Sequence, residues 1–99
     1  MGVSVSPAEA RDALSQAFPG MEWAVATIQT RITGERRKPW LLVAVDIGED
    51  GRFSAWVSEH RRDVATSKWP ARAVRQAIAN ARARLTRQIA ALDAATEKP

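Results

Sequence analysis

The spacing of apolar residues changes along the chain from about 3.6 to 2 and back to 3.6, which predicts a helix, a run of strands and a second helix. Near the N-terminus Ala10, Ala13, Leu14, Ala17 and Phe18 recur at helical spacing. Ahead of them, Ser6-Pro7-Ala8-Glu9 has a hydroxyl at the N-cap, proline at the first helical position and Glu9 placed to complete a capping box. Pro19-Gly20 ends this helix. Glu22–Ile32 (EWAVATIQTRI) is rich in Trp, Val, Ile and Thr and predicts the first strand. Trp23, Val25 and Thr27 then share one face, and Ala24, Ala26, Ile28 and Ile32 the other. Thr33–Lys38 reads as a loop closed by Pro39. Trp40–Ile47 is the second strand, with Leu41, Val43, Val45 and Ile47 on the buried side. Gly48–Gly51 is a hairpin turn, and Arg52–Glu59 the third strand, with Phe53, Ala55 and Val57 inward. His60–Thr66 reads as a polar connection.

The longest periodic stretch runs from Ser67 to Ala95, with Thr66 or Ser67 as its cap and Pro70 in its first turn. At 100° per residue, Val74, Ala81, Leu85, Ile89 and Leu92 fall within about 60° of Ile78 and form one apolar stripe. Lys68, Arg72, Arg75 and Arg82 fall about 40–120° to one side, so a basic edge borders the face to be buried. Three antiparallel strands need their apolar face covered, and both helices have a stripe to supply. The expected fold is therefore α+β: a three-stranded antiparallel sheet with an N-terminal and a long C-terminal helix on one face. The whole chain, 1–99, is read as a single domain, with an ordered core over about 6–95 and a frayed tail after Ala95.

Composition narrows the chemistry. The chain is 45% hydrophobic, as a folded domain requires, and its lack of cysteine excludes disulfides and thiolate metal sites. The N-terminus lacks a signal peptide's basic and apolar regions, and the longest apolar run, Trp40–Val45, is too short to span a bilayer. A cytoplasmic location without membrane attachment is expected. The net charge of +4 is distributed unevenly. Residues 31–38 carry +3 and residues 61–87 carry +7, whereas residues 39–60 carry −3. Segregation of this kind suits a polyanion partner, although a solvated helix face rich in arginine is the simpler account of the same residues.

Catalytic equipment is thin. The single histidine, His60, sits among Glu59, Arg61 and Arg62 at an exposed strand end, and there is no cysteine or tyrosine to serve as nucleophile. Asp46, Glu49 and Asp50 gather at the hairpin without calcium-loop spacing, so no metal site is assigned. Neither a P-loop nor a dinucleotide fingerprint occurs, and no cofactor is expected. Of the four tryptophans, Trp40 and Trp56 fall on the strand faces opposite the buried one. They would stand on the open sheet face as a protein-binding pair, unless a tilted helix or a second copy of the chain covers them. Trp69 would pack as a staple beside the helix cap.

The order of elements resembles the double-stranded RNA-binding domain, a helix, a three-stranded antiparallel sheet and a helix. The likeness spans roughly residues 6–92. Gly34–Trp40 (GERRKPW) looks like that family's loop between its first two strands. Ser67–Arg72 (SKWPAR) looks like the Ser-Lys-Lys-x-Ala-Lys start of its second helix, with Trp69 where the second lysine would stand. The resemblance implies that Lys68 and Arg72 meet phosphates while Arg36, Arg37 and Lys38 reach a neighbouring groove, reading duplex shape more than base order. The same plan is also similar to the small N-terminal DNA-binding domains of phage-type integrases. The expectation is a non-catalytic nucleic-acid-binding module using Arg36, Arg37, Lys38, Lys68, Arg72, Arg75 and Arg82. The alternative is a small inhibitor or adaptor that binds a protein, or a second copy of itself, through Trp40 and Trp56.

Overall fold

A computed structural model of the chain describes residues 5–58 and 60–97. The elements are α1 (Pro7–Ala17), β1 (Glu22–Val25), β2 (Arg31–Arg37), β3 (Trp40–Ile47), β4 (Phe53–Val57), β5 (Ala65–Ser67) and α2 (Pro70–Glu97). The strands form one five-stranded sheet in the order β1-β2-β3-β4-β5, each antiparallel to its neighbour. The α+β class holds, but the three-stranded sheet expected from the sequence does not.

Two features hid the extra strands. Glu22–Ile32 is not one strand but two half-strands folded on each other. Ala26 N–H donates to the Arg31 carbonyl at 2.8 Å and Arg31 N–H donates to the Ile28 carbonyl at 2.9 Å, closing a turn between them. The reversal lets Trp23, Val25 and Ile32 share the helix-covered face, although an unbroken strand would put Val25 and Ile32 on opposite faces. The polar stretch expected to form a loop is the ladder itself: Gly34 pairs with both Trp23 and Val43, and the turn shrinks to Lys38-Pro39, joined by a cis peptide bond. The second hidden strand, β5, lies in the expected polar connection and its cap. Phe53 pairs with Ser67 and Ala55 with Ala65. Three residues are too few to show a period.

The helix starts follow local chemistry. Ser6 Oγ accepts from Glu9 N–H at 3.2 Å, the N-cap half of the expected capping box, and Pro7 opens α1. Thr66 and Ser67 do not cap α2. Both belong to β5, Ser67 Oγ accepts from Trp69 N–H at 3.1 Å, and the helix begins at Pro70.

Both helices cover the same sheet face, α1 over β1 and β2, α2 over β4, β5 and part of β3. The core comprises Ala10 and Leu14 from α1, Ala73, Val74 and Ala77 from α2, and Trp23, Ile32, Val43, Val45, Phe53, Ala55 and Ala65 from the sheet. Alanines dominate the contributions from α2, so this helix lies close to the strands.

Trp23 is wedged between α1 and β2. Its indole N–H donates to the Phe18 carbonyl at 3.2 Å, and its ring covers Gly34. A methyl group at Gly34 would come within 2.5 Å of the Trp23 ring atoms Cε3 and Cζ3. Because the indole is held by that hydrogen bond and is buried, Gly34→Ala is expected to cost about 1–3 kcal/mol through overpacking. A urea titration that left the midpoint unchanged would remove the Trp23–Gly34 contact from this account.

The long helix outruns the sheet. Pro70, Ala73, Val74, Ala77 and Ala81 are buried, but beyond them Leu85, Ile89 and Leu92 are 49%, 59% and 66% exposed. The stripe expected to form one buried face is thus two stripes, one packed and one overhanging. The helix continues past Ala95 to Glu97, and the molecule measures 62 × 29 × 22 Å.

Candidate functional site

The β4–β5 ladder and the start of α2 build a cationic corner. Since Phe53 pairs with Ser67, Arg52 and Lys68 continue the two strands side by side. Pro70 then turns the chain into α2, and Arg72 follows in its first turn. Arg52, Thr66, Ser67, Lys68, Trp69 and Arg72 line an open cleft of about 310 Å³, with no carboxylate among them. Trp69 is not a buried staple. It is 62% exposed and stands as a free ring on the cleft wall.

This corner concentrates positive potential. The N-terminus of a long helix carries roughly half a positive charge, which proteins usually offset with Asp or Glu in the first turn. The first turn of α2 has no acidic residue and instead carries Arg72, with Lys68 just ahead and Arg52 alongside. Among the described residues, none of the three forms an ion pair. Three cations and a helix N-terminus repel one another, and an anion in the cleft relieves that repulsion.

The basic edge of α2 continues from here. Arg72, Arg75 and Arg82 fall within an arc of about 80°, turned away from the buried positions. All three are exposed. Arg75 leans toward α1, its guanidinium 5.3 Å from the centroid of the Phe18 ring. Arg82 lies about 15 Å further along the axis than Arg72. Arg84, on the core-facing side, is held by Asp63 at 2.5 Å.

The other expected cations are elsewhere. Arg36, Arg37 and Lys38 are exposed at the β2–β3 turn, where Arg37 pairs with Trp40. Ile47, at the far end of β3, pairs with Phe53 beside the cationic corner. The two basic groups are therefore separated by the length of β3, about 23 Å. The strand register thus keeps Arg36, Arg37 and Lys38 from forming one patch with Lys68 and Arg72.

The open sheet face does not present a tryptophan pair. Trp40 is 56% exposed, with its indole N–H 3.4 Å from Glu35 Oε2. Trp56 is only 4% exposed, because two arginines roof it. The Arg31 and Arg61 guanidiniums stand 5.2 and 4.7 Å from its ring centroid. Asp46 holds both: Arg31 donates to its two oxygens at 2.7 and 3.1 Å, and Arg61 approaches at 3.9 Å. Hydrogen bonding to Asp46 raises the Arg31 pKa above its ordinary value, more than its slight burial lowers it. Asp46 thus serves this roof, while Asp50 serves the hairpin, accepting from Arg52 N–H at 3.1 Å. His60 is exposed.

Sequence reasoning did not find Arg52 and misplaced Trp69. The signal for Arg52 was its position just after the Gly48–Gly51 turn, but it acquires a basic neighbour only once β5 is paired. Among the described residues, no helix is long and apolar enough to cross a membrane. Searches against models of known protein families, curated proteins and solved structures find no match to this chain.

Proposed function

We propose that this chain is a non-catalytic nucleic-acid-binding module that grips the phosphate backbone of duplex RNA or DNA at the start of α2. Arg52, Lys68 and Arg72 take the phosphates, Arg75 extends the contact along the helix, and the Trp69 ring offers an apolar wall beside them. The observation that carries this reading is the convergence of three cations, none of them ion-paired among the described residues, on a helix N-terminus whose cleft is lined by no carboxylate. The partial likeness of Ser67–Arg72 to the phosphate-binding helix start of double-stranded RNA-binding domains falls on the same residues. Backbone contacts of this kind position a duplex but do not read its base order.

A salt series tests the reading. If three phosphates are neutralised, log K for a short B-DNA duplex falls with log salt at a slope of about −2.7. Lys68→Ala should weaken binding to all sequences alike and reduce that slope by about 1. Affinity that ignores salt, or a slope that survives Lys68→Ala, contradicts the proposal. Trp56 lies under its arginine roof, so the protein-binding alternative keeps Trp40 alone on the open face, and the cationic corner is the better supported site.

A further inference from the structure

The overhanging half of α2 presents Leu85, Ile89 and Leu92 to solvent at successive turns, yet nothing in the described fold covers them. We propose that a second copy of the chain covers them, through antiparallel pairing of the two overhangs. The charges on the flank of this stripe single out that occupant. On the helical wheel the stripe centres near Leu85, with Ile89 on its charged side, and Arg82, Asp93 and Glu97 all lie on the same side of it, within an arc of about 60°. The opposite flank carries Ala81, Gln88 and Ala95 and no carboxylate.

When two helices pair antiparallel, like flanks face each other; when they pair parallel, opposite flanks do. Setting Leu85 of one copy beside Leu92 of the other puts Ile89 near the two-fold axis. That register carries Arg82 to a point between Asp93 and Glu97 of the second copy, which lie one turn apart. Each copy thus supplies one cation and receives one, as an isologous two-fold interface requires. Parallel pairing would set Arg82, Asp93 and Glu97 against a flank without a carboxylate, whose one cation, Arg84, is already held by Asp63. The antiparallel arrangement also sends the two sheets to opposite ends of the pair. It assigns Arg82 to this contact, and it stands independently of the nucleic-acid reading, which rests on Arg52, Lys68 and Arg72.

Sedimentation velocity over about 1 μM to 1 mM, a span covering weak to moderate self-association, is the first test. The wild-type chain is expected to pass from monomer to dimer, and the triple variant Leu85→Gln, Ile89→Gln, Leu92→Gln to stay monomeric with its far-ultraviolet spectrum retained. Arg82→Glu should raise the dissociation constant at least about tenfold, and adding Asp93→Arg and Glu97→Arg to it should restore the dimer. Direction is read by a single introduced cysteine, since the chain has none. Thr96→Cys should fail to form a disulfide, because antiparallel pairing holds the two copies of that position roughly 20 Å apart. A chain that stays monomeric throughout, a triple variant that still dimerises, a charge reversal without rescue, or ready Thr96→Cys cross-linking each overturns the proposal.

Discussion

Trp56→Ala is expected to cost about 3–5 kcal/mol of folding stability, a large share of what a domain of this size holds. The residue lies on the sheet face away from the helices, where a tryptophan would ordinarily be read as exposed and free to bind. Its ring is instead 4% exposed, covered by Arg31 and Arg61, which Asp46 gathers from two different segments. Removing the ring leaves a void beneath two guanidiniums that have lost their aromatic surface. Trp40→Ala is the matched control: that ring is 56% exposed, so its loss should change stability by no more than about 0.5 kcal/mol. Urea unfolding of both variants decides the matter. Equal, small losses would mean that Trp56 is accessible and that the roof does not hold.

The same roof shows what the sequence could and could not tell. Alternation placed Trp40, Trp56 and the inward residues of β3 and β4 on the correct faces, because period-2 patterning survives wherever one face is packed. It could not say that Arg31 and Arg61 would close over one ring and leave the other bare, since that depends on a carboxylate fifteen positions from Arg31 in sequence. Both helices were legible from their apolar spacing, and α1 also from its N-cap Ser6, whereas the cap expected for α2 belongs to β5. The edge strands were not. β1 and β2 were fused because the turn at Ala26–Thr30 carries neither glycine nor proline, and β5 is too short to carry a pattern. The amphipathic wheel of α2 showed which face is apolar but not how far the sheet extends beneath it, so the overhang from Leu85 onward could be seen only in three dimensions. The basic residues of the helix start were legible, whereas their grouping with Arg52 and their separation from Arg36, Arg37 and Lys38 follow from strand register.

That separation permits a comparison at constant net charge. Three charge reversals in the corner, Arg52→Glu, Lys68→Glu and Arg72→Glu, alter the molecule's total charge as much as Arg36→Glu, Arg37→Glu and Lys38→Glu at the far end of the sheet. All six positions are exposed, so neither set disturbs the core. Three phosphate contacts at 0.1 M salt are worth roughly 10²–10³ in affinity. The measurement is the binding of both variants to one short duplex at that salt concentration. The account predicts a loss of at least about a hundredfold for the corner variant and only a few-fold for the other. Equal losses would show that net charge alone governs binding, and a larger loss from the far end would place the site at the β2–β3 turn instead of at the start of α2.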